Sequence, residues 1–369
     1  MKTQFLRPLY AGAGDWVSVY LDTSRAAGDA ADVLAVRWQD ARARLAEAGA
    51  DEATLNAVAP QLTAGRGPGS GRAVFARAGR AGLSAPVRVV PAVDAVRLAP
   101  LPHVMPLLAQ REVMAPHLRV AVSRTGGEIL AMAGDDPIEL PAVVEDDEVH
   151  GQDWPVHKAR AGGWSEPRYE RSAEHTWDEN ARQLAARVAE ASSHVGARCI
   201  VIAGDVRARS LVLQHLSRPL RESAVVVDRE IPAGSAELAA AADEALRAWA
   251  EREARDRYGE WRSLLAHGGG VEGLAPTIAA LRDGLVADVL VRHDAWPASP
   301  VWIGAGAEMA LSEQEARDRG AARPLQDRAD AAIARAVTDT DAELRFLPAD
   351  LDAQLPQDGI CAVLRASPA

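Results

Sequence analysis

The apolar positions along this chain change period repeatedly, and each change marks an element. Val17-Ser-Val-Tyr-Leu21 reads as a buried strand closed by the turn-prone Asp22-Thr-Ser24. Over 30–48, Val33, Val36, Arg37, Ala41 and Leu45 keep near-helical spacing with charges between them. A shorter helix over 51–59 is expected to stop at Pro60, and Gly65-Arg-Gly-Pro-Gly-Ser-Gly71 is a loop by composition. Strands over 73–77, 87–90 and 95–98 complete a small α/β unit, and Leu101-Pro-His-Val-Met-Pro-Leu-Leu108 suits a linker or domain seam.

A second unit opens with Leu118-Arg-Val-Ala-Val-Ser123, the turn Arg124-Thr-Gly-Gly127 and Glu128-Ile-Leu-Ala-Met132, the pattern of a β-hairpin. Acidic Glu145-Asp-Asp-Glu148 and the basic stretch after it read as loops. A long helix follows from near Ser165, with Tyr169, Ala173, Trp177, Ala181, Leu184 and Val188 on one face. Strand 199–203 leads to Asp205, a residue suited to cap the helix carrying Leu211, Leu213 and Leu216. Strand 224–228 precedes a helix over 235–265. After Gly268-Gly-Gly270 come helix 271–282, strands 287–292 and 300–303, helices 312–319 and 327–337, and strands 343–347 and 360–365. Strand–helix alternation of this kind predicts layered α/β domains with boundaries at 1–110, 117–265 and 268–369.

Composition agrees: 369 residues exceed one ordinary core, and an alanine-rich 48% hydrophobic content with 4% aromatics favours many helices. No apolar run approaches the roughly 20 residues of a membrane span, and the N-terminus lacks a signal-like apolar segment. Cys199 and Cys361 both sit in strand-like apolar runs and read as reduced core residues. Together these predict a cytoplasmic protein without a membrane role. The net charge of −11 argues against a general nucleic-acid binder but leaves room for a few local basic contacts.

The most pointed candidate chemistry is His157-Lys-Ala-Arg-Ala-Gly-Gly-Trp-Ser-Glu-Pro-Arg-Tyr-Glu-Arg171. Ser165 is a good N-cap, Pro167 is tolerated in a first helical turn, and Gly162 and Gly163 let the backbone approach a partner closely. Lys158, Arg160, Arg168 and Arg171 surround the positive end of the helix dipole, an arrangement suited to a phosphate backbone. A merely solvated surface loop fits the same local chemistry. Elsewhere, Gly65–Gly71 lacks the lysine and the preceding strand of a phosphate-binding loop, and Gly304-Ala-Gly306 lacks a third glycine. His150 and His157 follow no zinc spacing, no Gly-x-Ser-x-Gly elbow occurs, and neither cysteine has a catalytic setting. No catalytic residue, metal or cofactor is therefore assigned.

The segment resembles the middle domain of the archaeal and eukaryotic peptide chain release factor family, in which a basic segment, Gly-Gly-Gln, a serine and an Arg-Phe/Tyr-x-Arg helix start follow in that order. Lys158, Arg160, Gly162-Gly163, Ser165 and Arg168-Tyr-Glu-Arg171 match it, with Trp164 where termination factors have Gln. Cys199-Ile-Val-Ile-Ala-Gly-Asp205, Gly270-Val-Glu-Gly-Leu274 with the run 279–291, and Asp358-Gly-Ile-Cys-Ala-Val-Leu-Arg365 are similar to later parts of that family in the same order. The likeness runs from about residue 117 to the C-terminus and is greatest to the actinobacterial branch related to the ribosome hibernation factor Balon.

The resemblance implies a release-factor-1-like architecture: an N-terminal α/β domain, an RNase H-like middle α/β domain and a C-terminal L7Ae-like α/β/α sandwich. It implies binding to the 70S ribosome through rRNA or tRNA at Lys158, Arg160, Gly162, Gly163, Trp164, Arg168 and Arg171, and leaves room for delivery by a translation elongation factor. Indole has one N–H donor and no paired acceptor, so Trp164 cannot reproduce a carboxamide, and hydrolysis is not expected. The Asn-Ile-Lys-Ser stop-codon motif is absent from 1–110, leaving loops 22–30 and 64–72 only as candidate contacts. The expectation is a stress-response hibernation factor in the A site of idle ribosomes. A peptidyl-tRNA hydrolase acting in ribosome rescue, or a protein-interaction scaffold favoured by the acidic charge, are the alternatives.

Overall fold

A computed structural model describes residues 1–23, 30–63, 71–92, 95–111, 115–133, 142–150, 166–228, 231, 235–293, 296–306, 308–351 and 356–365. For 30–32, 142–145, 150 and 166–173 it describes the backbone only. The chain divides into two compact units, one of Met1–Glu112 and Glu251–Ala369, the other of Val113–Asp136 and Leu140–Ala250. Both are mixed α/β.

The larger unit begins with α1 (Arg7–Tyr10), β1 (Trp16–Asp22), α2 (Ala30–Glu47), α3 (Glu52–Thr63), β2 (Gly71–Arg77), β3 (Arg80–Val87), β4 (Val96–Ala99) and α4 (Met105–Arg111). Its first sheet has the order β3-β2-β1-β4, antiparallel throughout. One face carries Val17, Val19 and Val74 against Leu45, Leu55 and Val58 of the two long helices. The opposite face sends Tyr20 and Phe75 into the unit's main apolar core.

Three expectations change here. The helix continues through Pro60, because Pro60 is exposed in the last turn while Leu55, Val58 and Leu62 still bury the inner face. The strand expected at 87–90 lies instead at 80–87. Ala78 and Gly79 both take positive φ (50° and 75°), closing a two-residue hairpin, and Pro86 is tolerated because the strand is an edge. The expected linker 101–108 contains the start of a buried helix, and the Tyr20 hydroxyl donates to His103 O at 2.6 Å.

The smaller unit runs β5 (His117–Ser123), β6 (Gly126–Ala133), β7 (Ala142–His150), α5 (Glu166–Val195), β8 (Cys199–Gly204), α6 (Val206–His215), α7 (Arg218–Glu222), β9 (Ala224–Val226) and the first half of α8 (Ala236–Leu265). Its sheet has the order β7-β6-β5-β8-β9: an antiparallel meander extended by two parallel strands. Leu184 and Val188 of α5 and Val212 of α6 pack on Leu118, Val120 and Ile202. On the other face, Leu246 and Trp249 of α8 cover Cys199 and Val201. The acidic stretch expected as a loop is part of edge strand β7, where Asp147 pairs with Arg187 of α5 at 2.7 Å. Charge on an edge strand discourages further strand pairing.

The larger unit resumes with the rest of α8, β10 (Gly270–Glu272), α9 (Leu274–Arg282), β11 (Val286–Arg292), β12 (Pro300–Ile303), β13 (Met309–Ala310), α10 (Glu313–Asp318), β14 (Leu325–Arg328), α11 (Ala329–Thr340), β15 (Glu343–Leu347) and β16 (Ile360–Leu364). Two sheets form, β10-β16-β11-β15 and β13-β12-β14. Tyr258 and Trp261 of α8 pack against Leu290, Leu347 and Cys361, whereas Ile278 of α9 and Ile333 of α11 join the main core with Val289 and Val291. Residues 270–272, expected to begin a helix, pair with β16, and 325–328 pair with β12 before the last helix starts.

Candidate functional site

The basic cluster is only partly within the described residues. Lys158, Arg160, Gly162, Gly163 and Trp164 lie outside them, as do His157 and Ser165. Arg168 and Arg171 fall on the first two turns of α5, whose backbone alone is described. The helix predicted from near Ser165 is there, and the geometry that receives its N-terminal half can be followed from Glu174 onward.

Two glycines set that geometry. A Cβ on Gly127 would stand 2.6 Å from Ala121 O and 2.7 Å from Leu184 Cδ2, so glycine lets α5 seat against the hairpin. Gly204 takes φ +115°, and a Cβ there would fall 2.0 Å from Val122 O. This close approach ends β8 beside the hairpin turn and hands the chain to Asp205.

Asp205 caps α6 as predicted: Oδ1 accepts the N–H groups of Arg207 and Ala208, each at 3.0 Å, and Oδ2 accepts Arg124 Nε at 3.0 Å. Burial alone would raise its pKa. The Ala208 N–H, the Arg124 charge and the Arg207 N–H outweigh that and hold the carboxyl below its ordinary value.

Above this cap lies Trp177, half-buried on α5. The Arg124 guanidinium stands 5.0 Å from its ring centre and that of Arg207 5.6 Å. Arg207 also pairs with Glu174, and Asn180 Nδ2 donates to Arg124 O at 3.1 Å. His215 Nε2 meets Asp178 Oδ1 at 2.8 Å, and His175 is exposed. The apolar face predicted for α5 therefore divides along its length: Ala181, Leu184 and Val188 are core, whereas Trp177 is gripped by cations at the rim.

Nothing in the chain pattern singles out Arg124 or Arg207. The useful local signals are a turn ending in Gly126-Gly127 and an Asp that places position 207 in the first turn of α6; their meeting on Trp177 is non-local.

Both arginines are about half exposed, yet each already has a carboxylate partner. The cluster is thus near neutrality and acts first as a clamp on α5. At the hairpin turn itself, a cavity of about 270 Å³ is lined by Ser123, Thr125, Gly126, Gly127, Glu128 and Glu148 among others. Burial, then Asp146 and Glu148, raise the Glu128 pKa, so this cavity disfavours anions. Among the described residues no group of three His, Cys, Asp or Glu is placed to hold a metal ion, and no described helix is long and apolar enough to cross a membrane.

Residues 116–269 match the model of bacterial archaeo-eukaryotic release factor family 2, which makes this stretch release-factor-like. An uncharacterized protein of Mycobacterium tuberculosis, in strains H37Rv and CDC 1551 alike, is 26% identical over 377 residues, covering 99% of this chain and 97% of the relative. Among solved structures, the archaeal translation termination factor aRF1 aligns at 15% identity and TM-score 0.25, over 98% of this chain and 96% of that one. Pelota of Archaeoglobus fulgidus aligns at 11% identity and TM-score 0.34, over 99% and 92%.

Proposed function

We propose that this chain is a ribosome-associated factor that enters the A site of idle ribosomes and protects them without hydrolysing peptidyl-tRNA. The observation that carries this reading is a single position. Within the release-factor-like stretch 116–269, the residue following Gly162-Gly163 is Trp164, where the resembled termination factors have Gln. An indole supplies one N–H and an apolar plate, so the position is suited to stacking, worth about 1–3 kcal/mol per base. Lys158, Arg160, Arg168 and Arg171 meet rRNA or tRNA phosphates in this reading, and Gly162 and Gly163 admit the close approach. The clamp on Trp177 supports it mechanically by fixing the helix that carries the loop.

The test is co-sedimentation with 70S particles from stationary-phase cells, in wild-type protein and in a Lys158→Glu/Arg160→Glu/Arg168→Glu/Arg171→Glu variant. Binding by the wild type that the variant loses is expected; absence of wild-type binding overturns the reading. A peptidyl-tRNA ester assay separates it from a rescue hydrolase, since Trp164-dependent release would assign the hydrolytic role instead.

A further inference from the structure

The larger unit contains a cavity of about 400 Å³ whose chemistry runs against the chain's overall charge. Three arginines, Arg77, Arg323 and Arg335, line it, and among the described residues no aspartate or glutamate does, in a protein of net charge −11. Two of the three are held in place by neutral partners. Arg335 is buried and donates from Nη1 to Gly304 O at 3.0 Å and from Nη2 to Glu308 O at 3.1 Å. Those carbonyls satisfy its geometry without cancelling its charge. Arg77 lies 4.6 Å from the Trp16 ring centre and donates to the carbonyls of Gly12, at 3.0 Å, and Ala11.

Arg323 is exposed and meets no carboxylate among the described residues. The acidic groups whose fields reach Arg335, namely Asp339, Glu308 and Asp327, all lie outside the lining. The Tyr10 hydroxyl oxygen, on another lining residue, is buried with no hydrogen-bond partner among the described residues. Burial first, with only partial relief from Arg335, raises its pKa and keeps it a protonated donor. A buried donor left without an acceptor costs stability. The remaining wall is apolar, including Leu9, Trp16, Leu101 and Ile303.

We infer that this cavity binds a small organic anion with an aromatic or aliphatic body. Its acidic end sits among Arg77, Arg323 and Arg335, and its body lies against Trp16, Leu101 and Ile303. The volume falls within the range of small-molecule sites, about 300–1,000 Å³. Preplaced guanidinium groups in a partly enclosed site give the strong charge-assisted hydrogen bonds that a carboxylate, sulfonate or phosphate ester needs. This site is independent of the ribosomal reading, and either can fail alone.

The probe is 1-anilinonaphthalene-8-sulfonate, titrated by fluorescence into the full chain. N-phenyl-1-naphthylamine, the same ring system without the sulfonate, is the control. One saturable site is expected, with the neutral analogue about tenfold weaker or worse. Arg323→Gln, a change at an exposed position, is expected to weaken the sulfonate about fivefold. Ala305→Trp, at an exposed lining position, is expected to abolish its binding by filling the cavity mouth. Circular dichroism melting confirms that both variants remain folded. Equal affinity for the neutral analogue, no saturation, or unchanged sulfonate binding in both folded variants would overturn the inference.

Discussion

The Arg124 guanidinium stands 5.0 Å from the ring centre of Trp177 while its Nε donates to Asp205 at 3.0 Å. One side chain thus ties the hairpin turn to the long helix α5 and to the cap of α6. The second cation, Arg207, reaches the same ring and pairs with Glu174 on the preceding helical turn. Three segments distant in sequence meet in this clamp: the hairpin turn, α5 and the start of α6.

Removing the ring should loosen that junction. Trp177→Ala is expected to cost about 2 kcal/mol, from two cation–π contacts and the half-buried indole, and Trp177→Phe about half as much. Urea denaturation followed by circular dichroism measures both. Equal losses for the two variants would mean that a phenyl ring recovers neither the packing nor the cation–π contact, against this expectation.

The Asp205 cap carries a pH signature. Its folded pKa is depressed, so its contribution to stability is present above the unfolded value of about 3.9 and disappears as pH falls through the folded value. Asp205→Ala should cost about 1–2 kcal/mol near pH 7. The stability gap between wild type and Asp205→Asn should be widest at neutral pH and close below about pH 4. Denaturation midpoints at pH 7 and pH 3 give the comparison, and a gap that widens in acid would contradict the assignment.

Asp327 is the corresponding anchor of the larger unit. Its carboxylate is fully buried, pairs with Arg97, and accepts the N–H groups of Leu101 at 2.8 Å and Arg328 at 2.7 Å. Asp327→Ala leaves the Arg97 charge stranded, at a cost of about 3–5 kcal/mol. The double variant Arg97→Met/Asp327→Leu should recover part of that loss, because an apolar pair carries no uncompensated charge. A double variant less stable than the single one would show that the Arg97 charge is not stranded when Asp327 is removed.

If the basic segment meets phosphates, ribosome association should weaken steeply with salt. Each contact released adds about 0.7–0.9 to the slope of log affinity against log salt. Lys158→Gln alone should reduce that slope by about one contact, whereas Trp164→Ala should lower affinity and leave the slope unchanged. Co-sedimentation over a range of potassium concentrations distinguishes the two effects.

Much of the fold was legible in the chain. Gly126-Gly127 between two apolar runs predicted the β5–β6 hairpin, and Asp205 capped the helix it was expected to cap. Errors fell where a local signal was outweighed by burial. Pro60 did not end its helix because the inner face still had Leu62 to bury. The stretch 145–148 became part of a strand because β6 offered it an edge and Arg187 a partner for Asp147. The two prolines of 101–108 suggested a linker, yet Met105, Leu107 and Leu108 are completely or almost completely buried.

By itself the sequence determined the layered α/β class, the cap of α6 and the basic, glycine-paired segment with Trp164 at its centre. Those rest on period, local hydrogen bonding and residue identity within a few positions. Tertiary structure alone decided that Arg124 and Arg207 would converge on Trp177 and that Arg77 would line one cavity with Arg323 and Arg335, more than 200 residues further along the chain. It also decided that the first and last stretches of the chain would share a core. Apolar burial is non-directional and takes whatever surfaces the folded chain brings together, so partners of this kind leave no periodic trace in the sequence.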